Sequence, residues 1–515
     1  MRKSILLTLL SLSCLCFATI AWACGGETSS SGETYTVTFT NGEGFTYNKS
    51  TSEKTLEAQS GEQISFSINM GAFYTGTPIV LADGVELASL NETYSLTVTQ
   101  NTTITVEGIT KDVSNMVGTG AYDDAFVVSR PIDLIYIAEQ VNAGNQTYAK
   151  AAYVLGNDID CKGETLQIIG NMRKAKAFFS GSFSCYTNPE TNKKNRYTIS
   201  NFKITSQSTR YVGLFGCVQA DPTTKNSGLF YGIRIDNFNF TTSVKTITED
   251  PIIYCGGLIG YSIGVTAHLC DATNGKINIL ADDNYFSFAG GLIGCQQGTY
   301  QKENDQIFAS EIAYSTVDVD VAALQGNVLY AGGIVGYAFT DSPIAPVAIR
   351  NSYSTGNVSG AMRCGGIVGG LGQYASVCNA YTTGDIFANC TQLKELISEE
   401  EYCYAFSGGI VGFAENDTVI KNCFSAGSVI ARALADADYQ KAGAAVGGGF
   451  QAGHASVDAK KYAIDNCVGD VTAKAATDTA KMTLGWLEQD WKFSKNSFPT
   501  INYAQIYETK NLQRT

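Results

Sequence analysis

The sequence predicts an all-β protein, a β-solenoid preceded by a small immunoglobulin-like β-sandwich. Three observations support this prediction. The phrase AGGIVGY at 331–337 returns with small changes along the second half of the chain. Short runs of alternating apolar and polar residues fill residues 34–110. The 515 residues include 28 Tyr and 25 Phe but only 8 Pro, and 44% are hydrophobic, as is typical of an ordered β-rich protein.

Residues 1–23 are predicted to be a secretory signal peptide. Two basic residues precede an uncharged apolar run from Ile5 to Ala23, and a polar stretch follows at once. The run is about long enough to span a bilayer, so an uncleaved membrane anchor is the alternative. In either case we expect an exported protein, held at the cell surface or secreted.

Cys24 is a candidate lipidation site. It begins a polar, flexible tether over residues 24–33, CGGETSSSGE. A signal peptide that ends at a cysteine followed by such a tether resembles those of bacterial lipoproteins, in which the cysteine becomes the lipid-bearing N-terminus. Lipoproteins usually have Leu three residues before the cysteine, where this chain has Ala21. Simple secretion after cleavage at Ala23 is therefore the alternative.

The charge balance argues against nucleic acid as a partner. The net charge is −13 at pH 7, and it becomes −15 when the two basic residues of the signal peptide are removed. Such a surface repels phosphate backbones. No later segment is long and apolar enough to cross a bilayer, so the lipid is the only membrane attachment that we predict for the cleaved protein.

Residues 34–110 are predicted to form the immunoglobulin-like sandwich. Val37 and Phe39 alternate with threonines, Ile64 and Phe66 alternate with serines, and Asp83-Gly84 is a hairpin signal. This module contains no catalytic cluster, and we expect it to act as a spacer or a binding module. Residues 111–122 are predicted to be a linker.

Residues 123–515 are predicted to form the solenoid, beginning with a capping helix. Ser129 is the expected N-cap, and Pro131 suits the first turn. One apolar face contains Leu134, Ile137, Ala138 and Val141, at the i, i+3, i+4 and i+7 spacing of a helix, before Gly144 ends it. A lone helix with one apolar face must cover something, and we expect it to cover the first coil.

A glycine motif marks the repeat. Its five full copies read GGLIG, GGLIG, GGIVG, GGIVG and GGIVG, after an initial YVGLFG, and GAAVG at 443–447 is a degenerate last copy. The last of these full copies is GGIVG at 408–412. The glycines at the second motif position are Gly213, Gly257, Gly291, Gly333, Gly366 and Gly409, with Ala444 in the last copy. Repeats of this length indicate stacked supersecondary units.

A second phrase lies between the glycine motifs. It reads NSYSTGNV at 351–358, NAYTTGDI at 379–386 and NCFSAGSV at 422–429, with shorter versions elsewhere. Each unit therefore contains an aromatic strand, a glycine turn, a β-branched strand and then the glycine-rich strand.

Stacking of the coils explains why glycine recurs in the motif. Coils of a β-solenoid lie about 4.8 Å apart, so equivalent residues form columns. A Gly-Gly pair suits a corner where a Cβ would clash with the neighbouring backbone or where φ must be positive. The six second-position glycines are thus predicted to be structural. The alternatives to a solenoid are a sandwich or a propeller with glycine-rich strands.

The cysteines follow the repeat, which predicts buried thiols rather than a disulfide framework. Six of the 15 cysteines occupy equivalent places beside the motifs. They are Cys217, Cys255, Cys295, Cys364, Cys423 and Cys467.

These motifs resemble the GLUG-motif proteins of bacterial surfaces, named for a Gly-Leu-x-Gly core such as GLIG at 257–260. The lead-in DLIYIAEQVNAG at 133–144 and the close FPTI at 498–501 match as well, so the resemblance covers roughly residues 123–503. It implies a right-handed parallel β-helix on a cell-surface or secreted protein. Some immunoglobulin A1 proteases combine the motif with a zinc protease domain, but this chain has no His-Glu-x-x-His and only two histidines.

The residues predict no catalytic, metal or cofactor site. His268 and His454 lie in separate repeats, and we expect each to be an ordinary loop or surface residue. The alternative function, a polysaccharide lyase or hydrolase built on a β-helix, needs converging carboxylates. Candidate pairs are Asp158 with Asp160, Asp282 with Asp283, and Asp318 with Asp320. Valines alternate with the last pair, as on a half-buried strand with one solvated face.

Binding is therefore the predicted function. We expect a non-catalytic adhesin that binds an extracellular glycan or a host or bacterial surface protein. An aromatic residue recurs in the second phrase, at Tyr353, Tyr381 and Phe424, with Tyr314 in a shortened copy. This column is either part of the core, which we favour, or an exposed strip for sugars.

The lipid anchor leads to the first testable prediction. Cys24→Ala removes the acceptor thiol, so the variant should move from the membrane fraction into the medium. Fractionation of expressing cells and mass spectrometry of the mature N-terminus would measure this. A wild-type protein that is already soluble, with an unmodified Cys24 at its N-terminus, would contradict it.

Overall fold

The computed structural model describes most of the chain between residues 32 and 501. The described residues are 32–171, 177–185, 187–188, 193–194, 196–221, 223–224, 226–243, 252–280, 286–325, 327–390, 405–433, 440–443, 445–451, 454–456, 463–465, 468–469, 491–492, 498 and 500–501. The predicted signal peptide and Cys24 lie outside them, as do Ala444, Cys467 and the pair Asp282 and Asp283. No helix of the described part is long and apolar enough to cross a membrane.

The chain divides into two compact units. The first comprises residues up to 69 together with 76–109, and the second comprises residues 70–75 and everything from Thr110 onward. The strands of the amino-terminal region are β1 (Thr34–Phe39), β2 (Phe45–Asn48), β3 (Thr55–Gln59), β4 (Gln63–Met70), β5 (Tyr74–Ala82), β6 (Val85–Glu86), β7 (Ser89–Leu90), β8 (Thr93–Thr97) and β9 (Thr102–Lys111).

These strands form two sheets around one apolar core. One sheet has the order β3-β1-β9-β5-β6 and the other β2-β4-β8-β7. The alternation in the sequence explains the packing, because Val37, Phe39 and Phe66 are buried between polar neighbours. Phe39 meets Phe66 edge to face, with ring centroids 5.2 Å apart. The immunoglobulin-like topology itself remains a prediction.

The second unit contains two helices and the remaining strands. Those up to the middle of the chain are β10 (Phe126–Val128), α1 (Pro131–Asn142), α2 (Gln146–Ala149), β11 (Ala152–Leu155), β12 (Ile159–Thr165), β13 (Ser182–Cys185), β14 (Thr187–Asn188), β15 (Lys193–Lys194), β16 (Thr198–Ser206), β17 (Tyr211–Val212), β18 (Phe215–Gln219), β19 (Leu229–Tyr231), β20 (Arg234–Thr242), β21 (Ile252–Gly256), β22 (Ile259–Ile263), β23 (Thr266–His268), β24 (Asp271–Leu280), β25 (Phe286–Gly290), β26 (Ile293–Gln301) and β27 (Gln306–Phe308).

The later strands are shorter. They are β28 (Ser310–Ala313), β29 (Thr316–Gln325), β30 (Asn327–Gly332), β31 (Val335–Thr340), β32 (Val347–Arg350), β33 (Tyr353–Ser354), β34 (Val358–Ser359), β35 (Arg363–Gly365), β36 (Val368–Leu371), β37 (Ala375–Cys378), β38 (Tyr381–Thr382), β39 (Ile386–Cys390), β40 (Ala405–Gly408), β41 (Val411–Ala414), β42 (Val419–Lys421), β43 (Phe424–Ser425), β44 (Val429–Ala433), β45 (Gln440–Gly443), β46 (Val446–Gln451), β47 (His454–Ser456), β48 (Ala463–Asp465), β49 (Val468–Gly469), β50 (Trp491–Lys492) and β51 (Thr500–Ile501).

Four long sheets, built from parallel pairs between coils, run through this unit. Sheet 1 is β10-β11-β13-β19-β23-β28-β32-β37-β42-β48, and sheet 2 is β12-β16-β20-β24-β29-β33-β38-β43-β49 with β34, β39 and β44. Sheet 3 is β17-β21-β25-β30-β35-β40-β45, and sheet 4 is β18-β22-β26-β31-β36-β41-β46-β47, with β27 as a hairpin partner of β26. One coil, such as β23 to β26, contributes one strand to each sheet. The predicted all-β class and its long parallel sheets are confirmed, and they are the sheets of a β-solenoid.

One apolar core runs through all the coils. Equivalent residues stack in columns, and one column in sheet 4 reads Phe215, Ile259, Ile293, Val335, Val368 and Val411, each fully buried. Removing this much apolar surface from water is the main favourable term in the stability of such a stack. Trp491 pairs with Ile501 across β50 and β51, and both contribute to a second apolar cluster of buried residues.

Helix α1 contributes its apolar face to the first coils. Leu134, Ile137, Ala138 and Val141 are buried in the main core, as the spacing predicts. The prediction that Ser129 is the N-cap is wrong. The N-cap is Arg130, and the Asp133 carboxylate accepts hydrogen bonds from the backbone N–H groups of both Ser129 and Arg130, at 3.0 Å each.

The second-position glycines lie at the corner between sheets 3 and 4, where the backbones of neighbouring coils approach closely. A Cβ added to Gly333 would lie 2.1 Å from the carbonyl oxygen of Gly366, and one added to Gly291 would lie 2.2 Å from that of Gly333. Neither glycine has a positive φ. Close approach of two backbones, rather than an unusual dihedral angle, is therefore the reason for glycine here.

The same corner holds the other glycines of this set. Gly257 and Gly366 have the same contact with the next coil, at 2.5 and 2.2 Å, and Gly213 is crowded by Gly256 and Gly260 of the next coil, at 2.9 and 2.8 Å. Gly409 occupies the equivalent place, where its N–H donates to the carbonyl of Gly443 at 2.9 Å.

The corner between sheets 1 and 2 uses asparagine. Asn351, Asn379 and Asn422 have φ of 48°, 52° and 53°, in the left-handed region that asparagine tolerates. Their side chains form a ladder, with Asn379 Nδ2 donating to Asn351 Oδ1 at 3.0 Å and Asn422 Nδ2 to Asn379 Oδ1 at 3.1 Å. The asparagine that begins the second repeated phrase thus suits both the backbone conformation and the hydrogen bonding at this corner.

Five of the six predicted cysteines are buried. Cys255 and Cys364 are free thiols in one column of small residues that continues through Ala289, Ala331 and Ser407. Burial raises the pKa of each of these two thiols to about 12. Cys217, Cys295 and Cys423 are also fully buried. Cysteine therefore serves as a small apolar side chain, as predicted.

The glycine corner leads to a stability prediction. Gly333→Val should lower the free energy of unfolding by about 2–4 kcal/mol, because the new side chain meets the Gly366 carbonyl and the Ser354 hydroxyl, 2.4 Å from the added Cβ. Thr205→Val, at an exposed strand position, is the control and should be close to neutral. Urea titration measures both. A Gly333→Val protein as stable as the control would show that the corner can relax.

Candidate functional site

An open groove of about 660 Å³ lies on the outer face of sheet 2. It crosses strands β12, β16, β20 and β24. Its polar lining consists of one carboxylate, Asp160, and a set of lysines and asparagines: Lys162, Lys203, Lys276, Asn201, Asn237, Asn239 and Asn274. Ammonium and amide groups are hydrogen-bond donors, so the groove presents mainly donors to a ligand.

Three asparagines shape the floor of the groove. Asn201, Asn237 and Asn274 occupy equivalent places in successive coils, with φ of 57°, 48° and 51°. A residue in the left-handed conformation locally interrupts the pairing of its strand with the neighbouring strand and bends it. The Asn237 side chain donates to Asn201 Oδ1 at 2.6 Å, and Asn201 donates to Asp160 Oδ1 at 2.8 Å. These bonds hold the bends of neighbouring coils in line.

Two phenylalanines support the floor from inside. Phe202 and Phe238 are stacked, with centroids 5.8 Å apart, and each is almost completely buried. In the next coil Gly275 takes the equivalent place, where a Cβ would lie 2.3 Å from the Phe238 ring. Because both rings are covered, the ligand-facing chemistry of the groove is polar rather than aromatic.

Two lysines stand in one column along the groove. Lys203 pairs with Asn239, Asn239 pairs with Lys276, and Lys276 pairs with Asp320 in the adjacent coil. Lys203, Asn239 and Lys276 are all exposed. Within the described residues neither lysine forms an ion pair, whereas Lys162 donates to a backbone carbonyl.

Of these groove residues the sequence singled out only Asp160, as half of a candidate carboxylate pair, and it predicted none of the lysines and asparagines. A signal was present, because NFKI at 201–204, NFNF at 237–240 and NGKI at 274–277 are spaced by one coil. These copies lie before most of the glycine motifs and differ at the second position, so the repeat is visible only when the coils are aligned. The six second-position glycines lie at another corner, between sheets 3 and 4, and do not line the groove.

The predicted carboxylate pairs bond to neighbouring coils rather than to each other. Asp158 accepts from the Thr198 N–H at 2.8 Å, Asp318 accepts from the Thr355 hydroxyl at 2.9 Å, and Asp320 accepts from the Asn357 N–H at 3.0 Å. Asp318 and Asp320 are exposed while the three alternating valines are buried. The interpretation of this segment as a half-buried strand is confirmed.

The aromatic column belongs to the core. Tyr381 and Phe424 are buried, and Tyr353 stacks on Tyr381 with centroids 4.7 Å apart. Trp491 and Phe498 pack against them. Tyr314 is buried too, but it is not in that column, because β29 pairs Thr316 with Tyr353. Its φ of 56° places it at the corner where later coils have asparagine.

His268 lies in an ion-pair network rather than in a loop. His268 is buried on β23, and its Nε2 lies 2.6 Å from Glu311 Oε2. Glu311 also accepts from the Nε of Arg350, which reaches the Tyr314 hydroxyl at 3.1 Å. The expectation of a loop or surface position is therefore wrong for His268. Within the described part of the chain, no group of three His, Cys, Asp or Glu side chains could hold a metal ion.

The comparisons with known proteins add little. No family model and no curated protein matches the chain. A crystal structure of a Bacteroides ovatus protein, provisionally assigned as an immunoglobulin A1 protease, is similar over 75% of this chain and 94% of that chain, with 16% identity and a TM-score of 0.40. At this level the likeness supports no inference about activity.

The ion-pair network leads to a pH prediction. Burial raises the pKa of the Glu311 carboxyl, but hydrogen bonds and charges from His268 and Arg350 outweigh it and lower this pKa from 4.5 to about 2. A carboxyl whose pKa is lowered by folding stabilises the protein above its unfolded pKa, and this contribution is lost as the pH falls through the folded pKa.

Glu311→Gln should therefore flatten the decline of stability in acid. Relative to this variant, the wild type should lose on the order of 1–3 kcal/mol of its free energy of unfolding between about pH 5 and pH 2. Urea titrations across that range measure the difference. Glu303→Gln, in an exposed turn, is the matched control. Parallel curves for the wild type and Glu311→Gln would contradict the assignment.

Proposed function

We propose that this protein is an exported bacterial surface protein whose β-solenoid binds a glycan in the groove of sheet 2. The observation that carries the proposal is the groove itself. It is open, and its exposed lining combines ammonium groups with the amides of Asn237, Asn239 and Asn274. Sugar hydroxyl groups both donate and accept hydrogen bonds, so amide side chains suit them.

The direction of the groove favours an extended ligand. Equivalent residues recur at each coil, about 4.8 Å apart, along the axis of the stack. A polysaccharide presents similar groups at regular intervals, so a column of side chains can follow it over several sugars. Repeat proteins commonly use such extended surfaces for binding.

Binding is favoured over catalysis because the described lining contains a single carboxylate, Asp160, and hydrogen bonds already hold it. Glycoside hydrolysis uses two carboxyl groups that flank the scissile bond. Asp160 Oδ1 accepts from the N–H of Lys162 at 2.8 Å and from the Asn201 amide at 2.8 Å. These bonds give it a role in holding the bend of β12. The polysaccharide enzyme therefore remains the less supported function.

The location completes the proposal. The signal peptide over residues 1–23 and the candidate lipid at Cys24 would place the mature protein outside the cytoplasm, with a short tether before the first β unit. An anchored solenoid would then present the groove to polymers of the cell exterior.

A steric block tests the function. The purified chain from Cys24 onward should bind at least one member of a panel of soluble neutral and acidic polysaccharides. Asn239→Trp places a large side chain in the middle of the groove and should weaken that binding at least about tenfold, since it excludes the ligand. Leu324→Trp, at a position that is already 54% exposed and apolar, is the control.

Isothermal titration would measure the affinities, and a urea titration would verify that both variants remain folded. The proposal fails if no polysaccharide binds to the wild type, or if Asn239→Trp binds as tightly as the control.

A further inference from the structure

We infer that the groove selects an acidic polysaccharide that has its negative groups on alternate sugars. This inference rests on the proposed function and adds the class of ligand. The observation that carries it is the column Lys203, Asn239, Lys276, in which an uncharged amide separates two exposed ammonium groups.

The spacing of the charges defines the pattern. Lys203 and Lys276 are two coils apart, which corresponds to about 9.6 Å along the axis. One sugar of an extended polysaccharide, whether all its linkages are 1,4 or 1,3 and 1,4 linkages alternate, advances by roughly the spacing of one coil. Two lysines two coils apart therefore match carboxylate or sulfate groups on the first and third sugars, and Asn239, in the coil between them, lies opposite the second sugar.

The chemistry of the three side chains agrees with this register. The ammonium groups of Lys203 and Lys276 have no carboxylate partner among the described residues, so they can donate charge-assisted hydrogen bonds to an anion. Asn239 offers an amide, which suits a hydroxyl or acetamido group. Covering an amide with an uncharged sugar costs less desolvation free energy than covering an ammonium group would.

The positively charged part of the column has a defined residue on each side. Thr165 precedes Lys203, and Asp320 follows Lys276. Asp320 accepts hydrogen bonds from the Asn357 backbone and side chain, so it is held in place by the following coil. Its negative charge repels an acidic chain. The charge-selective part of the groove therefore spans three coils, or about three sugars.

The surrounding charge makes this patch distinctive. The whole chain has a net charge of −13, so an acidic polymer is repelled by most of the surface. The groove, by contrast, gathers the two column lysines and Lys162, which adds a third ammonium group. Binding should consequently weaken with added salt, since the lysines are exposed and their attraction is screened.

An acidic peptide fits the groove less well. Extended peptides usually bind to the free edge of a sheet through backbone hydrogen bonds. Strands β16, β20 and β24 are paired on both sides, so they offer no free edge. Only side chains are available to a ligand, and these match the regularly spaced groups of a sugar chain.

Three oligosaccharide probes of equal length test the inference. They are a hyaluronan hexasaccharide, with uronates on alternate sugars, a galacturonate hexasaccharide, with a uronate on every sugar, and uncharged cellohexaose. The hyaluronan probe should bind most tightly. Lys203→Gln and Lys276→Gln should each weaken it about two- to fivefold, and the double variant about tenfold, as expected for exposed charge pairs.

Asn239→Lys supplies a charge at the middle coil. It should shift the preference toward the galacturonate probe, which a merely structural role of the lysines would not produce. Lys302→Gln, in an exposed turn away from the groove, is the matched control and should leave all affinities unchanged.

Three results would overturn the inference. The first is equal binding of cellohexaose and hyaluronan with no effect of the glutamine variants. If Asn239→Trp still abolishes that binding, glycan binding in the groove stands and only charge selection fails. The second is a preference for the galacturonate probe by the wild type. The third is tighter binding of a poly-glutamate peptide than of any sugar, which would overturn the glycan proposal as well.

Discussion

The close approach of backbones at the glycine corner is the constraint on which the rest of the solenoid depends. At Gly333 the next coil is so near that the carbonyl of Gly366 occupies the place of a Cβ. The Gly333 N–H donates to the carbonyl of Gly365 at 3.1 Å, and Gly366 repeats this bond with Gly408 at 3.2 Å. Because the coils from Gly213 to Gly409 turn in a similar way at this corner, the strands on both sides stay in register, and the apolar columns of the core line up.

At the corner between sheets 1 and 2, asparagine rather than glycine keeps the coils in register. There the chain turns through a left-handed residue, and asparagine provides both that conformation and a side chain that bonds to its neighbours above and below. In the earlier coils Leu269 and Tyr314 adopt the same conformation without an amide ladder. These coils instead have ion pairs nearby, between His268, Glu311 and Arg350, and between Arg196 and Asp271. Different coils are thus kept in register by different side chains, by an asparagine ladder in the later coils and by ion pairs in the earlier ones.

The groove follows from this registration. Asn201, Asn237 and Asn274 interrupt their strands at one level, and the resulting bends align only because the coils are in register. The lysine column is a second consequence, since Lys203 and Lys276 are distant in sequence from each other but equivalent in position. A stack built for stability therefore also presents regularly spaced polar groups, and we propose that the protein uses them to bind a glycan. The buried aromatic column beside Trp491 shows that not every column is available to a ligand.

The sequence by itself determined the repeat and hence the class of fold. The glycine motif, the alternating valines around Asp318 and the face of helix α1 are local patterns, and burial and backbone spacing act on them directly. It also placed the cysteines, because Cys255 and Cys364 occupy repeat positions that admit only small side chains. Only the tertiary structure decided which residues meet. The cap at Arg130 was decided by the local geometry of the helix start, and the partner of His268 and the groove depend on contacts between residues tens of positions apart. Such contacts depend on the register between coils, which a single chain read in order does not display.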